Sequence, residues 1–179
     1  MIRLVTGGAR SGKSSYAEAL LMDREDVLYI ATAKVEDEEM AHRVKKHQAR
    51  RPSQWGLYEG DQDLAGVIGP QYGAYLLDCV TVLASNYLFA RSQGLDQVPP
   101  ELLEEVEEAV FKELSALVKT AKKENKSLVL VTNEVGDGPV PMYSLTRAFR
   151  DLQGRTNQRL AALVDEVYLV VCGLPVKIK

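Results

Sequence analysis

Ile2-Arg3-Leu4-Val5-Thr6-Gly7-Gly8-Ala9-Arg10-Ser11-Gly12-Lys13-Ser14 is the stretch from which the fold class follows. Five residues rich in β-branched and apolar side chains run straight into Gly-x-x-x-x-Gly-Lys-Ser, and a helical pattern begins at Ser14 and continues to Met22. A strand, a glycine-rich loop and a helix in that order form the phosphate-binding loop of nucleoside triphosphate enzymes. The glycines let the backbone curl so that its N–H groups point at phosphate oxygens. Lys13 then places its ammonium by the β- and γ-phosphates, and the Ser14 hydroxyl is a ligand for Mg²⁺. A glycine-rich turn without a ligand would share the spacing, but not the strand before it and the helix after it.

Outward from the loop, short apolar runs recur at Val27–Ala31, Ala74–Leu77, Ser127–Thr132 and Val167–Cys172. They are continuous rather than alternating, as in a sheet covered on both faces. Helical stripes lie between them. One passes through Leu103, Val106, Val110, Leu114, Leu117 and Ala121, and another through Leu145, Phe149, Leu152, Leu160 and Leu163. Alternating strands and helices predict an α/β fold with a mostly parallel sheet flanked by helices. Pro175–Lys179 is expected to return as an antiparallel edge strand after a turn at Gly173. Ser92–Pro100 reads as a surface connection, and Gly136–Pro141 as a loop at the carboxyl end of a strand, where open α/β sheets bind ligands.

Length and composition bound the rest. A chain of 179 residues, 46% hydrophobic, is expected to form one domain, residues 1–179. A net charge of -3 gives no general reason to expect a nucleic-acid partner. No apolar run approaches the ~18 residues of a membrane span, and the amino terminus lacks signal-peptide order. A cytoplasmic location is the expectation. The two cysteines, Cys79 and Cys172, sit in or beside apolar runs and read as small hydrophobes rather than metal ligands.

Two further positions carry chemistry. Tyr75-Leu76-Leu77-Asp78 has the form of a strand ending in a metal-binding acid. Asp78 is therefore a candidate second ligand for Mg²⁺, or a helix N-cap. Glu36–Arg51 reads as a helix with acids in its first turn and bases in its last, which the helix dipole alone explains. Met40, Val44 and His47 share a face. That pattern favours a hydrogen-bonded core histidine. The alternative is a nucleophile for a phosphorus atom, with Arg50 and Arg51 neutralising phosphate charge.

The segments Thr6–Ser14, Tyr29-Ile-Ala-Thr-Ala33, His47-Gln-Ala-Arg-Arg-Pro52, Thr132-Asn-Glu-Val-Gly136, Phe149-Arg-Asp-Leu152 and Gly154-Arg-Thr-Asn-Gln-Arg-Leu160 occur in this order along nearly the whole chain. Together they resemble the bifunctional adenosylcobinamide kinase/adenosylcobinamide-phosphate guanylyltransferases of cobalamin synthesis. The resemblance implies a RecA-like nucleotide-binding fold and a homotrimer. It implies two reactions: phosphorylation of adenosylcobinamide with ATP or GTP, then transfer of GMP from GTP, through a guanylylated histidine, to adenosylcobinamide phosphate. The guanylylated residue falls on His47. Nucleotide contacts fall on Thr6, Gly7, Gly8, Ala9, Arg10, Ser11, Gly12, Lys13 and Ser14, on Ala31, Thr32 and Ala33, on Gln48, Ala49, Arg50 and Arg51, and on Glu59 and Thr81.

Where many members carry an acidic–amide pair after Pro141, this chain has Met142 and Tyr143. Asn133 and Glu134 match the motif, and polar strand ends of this kind also serve loop hydrogen bonds. Two other readings are compatible with the loop alone: a simple small-molecule kinase in which His47 is structural, and a nucleotide-dependent regulatory switch.

Overall fold

The structure is a computed structural model and describes residues 1–33, 52–95 and 97–179. The elements are β1 (Ile2–Thr6), α1 (Lys13–Ala19), β2 (Val27–Ala31), β3 (Gly56–Glu59), a 3₁₀ turn (Leu64–Val67), β4 (Ala74–Asp78), α2 (Val80–Arg91), α3 (Pro100–Lys123), β5 (Ser127–Val131), α4 (Ser144–Leu163), β6 (Glu166–Val171) and β7 (Leu174–Lys177). The strands form one sheet in the order β3-β2-β4-β5-β1-β6-β7. Strands β1 to β6 pair in parallel, and β7 pairs antiparallel with β6 at the edge, as expected for the tail.

The continuous apolar runs have a simple cause. Alternate side chains of a strand point to opposite faces. Ile2, Leu4, Leu28, Ile30, Tyr75, Leu77, Leu128 and Leu130 join one buried cluster with residues of α2, α3 and α4. Their neighbours Val5, Val27, Tyr29, Ala74, Leu76, Val129 and Val131 join a second cluster with Ala17 and Leu21. Both faces of the sheet's centre are therefore covered.

α3 begins with Pro100 at its first position, where the missing N–H has no intrahelical acceptor to lose. It buries Val106, Val110, Leu114, Leu117 and Ala121 along the predicted stripe. α4 packs beside it. Arg159 of α4 lies 3.7 Å above the Phe111 ring and also pairs with Glu107 and Glu108.

Some sequence expectations are corrected. α1 ends at Ala19 rather than Met22, because Leu21 N–H bonds back only three residues to Glu18 and the chain tightens into turns. β3 was not foreseen as an element, and α2 only as the segment that Asp78 was a candidate to cap. Cys172 is exposed in the β6–β7 turn with φ 52, outside the strand that was expected to include it, whereas Cys79 is buried. The predicted Glu36–Arg51 helix falls outside the described residues. No helix among the described residues is long and apolar enough to cross a membrane.

Candidate active site

Pairing register puts the carboxyl ends of five strands on one level. Glu59 pairs with Ala31, Ala31 with Asp78, Asp78 with Val131, and Val131 with Val5. Thr6 and the phosphate loop follow directly from that row. The sequence-predicted residues on these strands therefore share one edge, but not one point. Four strand spacings of ~4.8 Å separate β1 from β3, a span of about 19 Å. Thr6 to Ser14 follow β1 at one end of the row, Asp78 stands on the middle strand beside Ala31, and Glu59 stands at the other end.

The loop is shaped by close approaches that exclude side chains. A Cβ on Gly7 would stand 2.5 Å from the Val170 carbonyl oxygen, and one on Gly12 would stand 3.1 Å from the Gly173 Cα. Gly12 also has φ 95, in the region that L residues avoid. A Cβ on Gly8 would meet nothing within 4 Å, so the loop is open there. Two backbone bonds clamp it from either side: Glu134 N–H donates to Gly7 O at 3.1 Å, and Gly173 N–H donates to Ser11 O at 2.8 Å. The Ser11 hydroxyl is buried with no hydrogen-bond partner among the described residues. Buried hydroxyls are rarely left so, and a phosphate oxygen in the loop is the kind of acceptor it lacks. Ala9 and Arg10 are exposed, and Arg10 adopts φ 59.

Lys13 donates to the Gly8 carbonyl at 3.1 Å. Burial lowers its pKa from the usual lysine value, and the nearby Cys79 and Asp78 oppose that shift. The Asp78 carboxylate is therefore within electrostatic reach of the loop lysine. It accepts the Tyr29 hydroxyl at 2.9 Å. It is not the N-cap of α2: that position is Cys79, and no side chain caps the helix. Burial pushes the Cys79 thiol up to about 12, so it remains neutral and is a poor nucleophile at neutral pH. Ser14 and Asp78 offer a hydroxyl and a carboxylate, hard oxygen donors of the type Mg²⁺ prefers.

Other predicted contacts are engaged within the protein. The buried Thr32 hydroxyl donates to Cys79 O at 2.8 Å and accepts Cys79 N–H at 2.9 Å. Its carbonyl accepts Asn86 Nδ2 at 3.0 Å. Thr81 Oγ1 accepts Asn133 N–H at 2.8 Å. Ala31 and Ala33 are half-buried and Glu59 is exposed. His47, Gln48, Ala49, Arg50 and Arg51 lie outside the described residues, in the chain between Ala33 and Pro52.

One constellation went unassigned in the sequence. Thr6 Oγ1 donates to Glu134 Oε1 at 3.2 Å, and Asn157 Nδ2 donates to the same oxygen at 2.9 Å. Thr132 and Gln153 lie fully buried behind them. The signal was present in α4: Gln153, Thr156 and Asn157 interrupt the face that carries Leu152 and Leu160. Polar residues on a buried face call for partners.

The family model described as cobinamide kinase / cobinamide phosphate guanyltransferase matches residues 3–178. The bifunctional adenosylcobalamin biosynthesis protein CobU of Escherichia coli K12 is 46% identical over 183 residues, and that of Salmonella typhimurium LT2 is 47% identical over 184 residues; both alignments cover 100% of each chain. The bifunctional adenosylcobalamin biosynthesis protein CobP of Pseudomonas aeruginosa is 36% identical, covering 98% of this chain and 96% of its own. Among solved structures, an ATPase of a bacterial type III secretion system aligns at TM-score 0.58 and 14% identity, covering 98% of this chain and 56% of that one. A KaiC-like protein of Pyrococcus horikoshii OT3 aligns at TM-score 0.50 and 11% identity, covering 94% and 69%. These two establish the fold alone. With its phosphate loop, sheet order and full-length sequence match in agreement, the chain belongs to the cobinamide kinase / cobinamide phosphate guanyltransferase family.

Proposed function

We propose that this protein phosphorylates the aminopropanol hydroxyl of adenosylcobinamide with ATP or GTP, and then transfers GMP from GTP to adenosylcobinamide phosphate through a guanylylated His47. The observation that carries the reading is the phosphate loop, clamped at Gly7 and Ser11 on the edge that also presents Asp78, within a chain that matches the family over residues 3–178.

In the kinase step Lys13 exchanges the Gly8 carbonyl for phosphate oxygens, and loop N–H groups hold the remainder. Mg²⁺ would be held by Ser14 and Asp78, and when bound it supplies further neutralisation of phosphate charge. Nucleotidyl transfer requires attack at the α-phosphorus instead. A neutral imidazole nitrogen of His47 forms a P–N bond there as the α–β bridge breaks and pyrophosphate leaves. A phosphate oxygen of the acceptor then displaces the histidine and takes GMP. Arg50 and Arg51 offset charge during both displacements. The 19 Å row gives about the length over which a nucleotide anchored at the loop can extend toward Ala31–Ala33 and Glu59, the end from which the chain leads to His47.

The acceptor and both nucleotides are soluble metabolites, which fits a cytoplasmic location, and a homotrimer is the assembly we infer from the family resemblance. Incubation with GTP and adenosylcobinamide, followed by mass analysis of the corrinoid, tests the reading. Adenosylcobinamide phosphate and then adenosylcobinamide-GDP are the expected products. An unchanged corrinoid, with active nucleotide binding, would return the chain to the switch reading.

A further inference from the structure

A buried set of side chains holds one oxygen of Glu134. Asn157 Oδ1 accepts the Thr132 hydroxyl at 2.7 Å and Gln153 Nε2 at 2.8 Å. Gln153 Nε2 also donates to Thr132 Oγ1 at 2.8 Å. These three residues are at least nine-tenths buried. With its oxygen so engaged, Asn157 can turn only its Nδ2 outward, and that nitrogen donates to Glu134 Oε1 and, at 3.0 Å, to the Asn133 carbonyl. Thr6, the residue before the phosphate loop, donates to Oε1 as well. Both donors therefore reach the same carboxylate oxygen.

The other, Oε2, has no hydrogen bond among the described residues, although Glu134 is only half-buried and its own N–H is anchored to Gly7 O. An ionised carboxylate is acceptor-only. The arrangement leaves one rigidly held acceptor oxygen beside the phosphate loop, on β5's extension between the loop strand and the Asp78 strand. A purely structural brace would need only Oε1.

We infer that Glu134 is the general base of the kinase step, held by Thr6 and the Asn157–Gln153–Thr132 network so that Oε2 takes the proton of the acceptor's hydroxyl. This rests on the kinase reading above. The hydroxyl oxygen forms a bond to the γ-phosphorus, the bond from that phosphorus to the β–γ bridging oxygen breaks, and the nucleoside diphosphate leaves. The proton passes to Glu134 Oε2 and then to water. GMP transfer to the phosphorylated acceptor begins from an already ionised phosphate oxygen, so it has no such proton to remove. Glu134 thus separates the two half-reactions chemically.

Glu134→Gln keeps a carbonyl oxygen for Thr6 and Asn157 and removes the base. Kinase turnover, nucleotide affinity and GMP transfer to chemically prepared adenosylcobinamide phosphate are measured on the same preparation, with Glu134→Asp alongside. General-base loss predicts a kinase kcat lower by about 100-fold. Nucleotide Kd and GMP transfer should stay within about 3-fold of the parent, and Glu134→Asp should recover part of the kinase rate. Kinase turnover near the parent value in Glu134→Gln would overturn the assignment. So would a parallel loss of nucleotide affinity and GMP transfer, which is the mark of a brace. If the unsubstituted protein never phosphorylates adenosylcobinamide, the functional reading fails first and this step with it.

Discussion

A methyl group on Gly7 would meet the Val170 carbonyl oxygen at 2.5 Å and the Ser11 hydroxyl at 2.7 Å, and one on Gly12 would crowd the Gly173 Cα at 3.1 Å. Gly7→Ala would press against the Val170 carbonyl at 2.5 Å. Overpacking of this kind costs about 1–3 kcal/mol, and the strain falls directly on the loop that holds phosphate. We expect a lower unfolding midpoint together with nucleotide affinity reduced by more than 10-fold. Gly8→Ala, built into open space, should be far milder for stability while still obstructing the ligand side. Equal behaviour of the two variants in denaturation and nucleotide titration would contradict the packing description. The glycine spacing was legible in the sequence because it is local. The Glu134 network was not, since Thr6 and Glu134 are 128 residues apart and only the fold makes them neighbours.

At the scale of elements, periodicity served where burial is one-sided or continuous. The α3 stripe from Val106 to Ala121 is buried as its spacing implies. Leu114→Ala should therefore cost about 2–5 kcal/mol in urea unfolding; a change below 1 kcal/mol would mean that this position is not core. α2 buries a stripe of Val80, Leu83, Ala84 and Leu88, but Val82 and the exposed Phe89 lie off it and blur the contrast between its faces. β3 escaped because it has four residues and alternates between half-buried and exposed. The edge hairpin makes a pH-dependent prediction. Glu166 lies between Arg3 of β1 and Lys177 of β7, and its hydrogen bonds to Lys177 and Arg3 hold its pKa down at about 2. A depressed carboxylate contributes stability above its unfolded value, near 4.5, and that contribution is lost as pH falls toward 2. The unfolding temperature of the parent should drop more steeply than that of Glu166→Gln between those limits. Parallel curves would remove Glu166 from the hairpin's stability.

For the whole molecule, one sheet edge is asked to support attack at two different phosphorus atoms. The phosphate loop stands at one end of a register row, Asp78 and Ala31 are paired neighbours within it, and Glu59 stands at the other end. The mostly parallel sheet and the edge strand followed from sequence pattern, but the strand order and the row did not, because order and register are properties of pairing and not of any one strand. In the proposed reading the loop serves the kinase step, and the chain after Ala33 leads to His47, which serves the second. The central claim is that His47 carries GMP between substrates. It is tested most directly by intact mass of the protein after incubation with GTP. The account predicts one acid-labile GMP per chain, discharged by adenosylcobinamide phosphate, and absent from a folded His47→Ala variant that still phosphorylates adenosylcobinamide. An active parent protein that never gains the adduct, or an adduct that persists in His47→Ala, would contradict it.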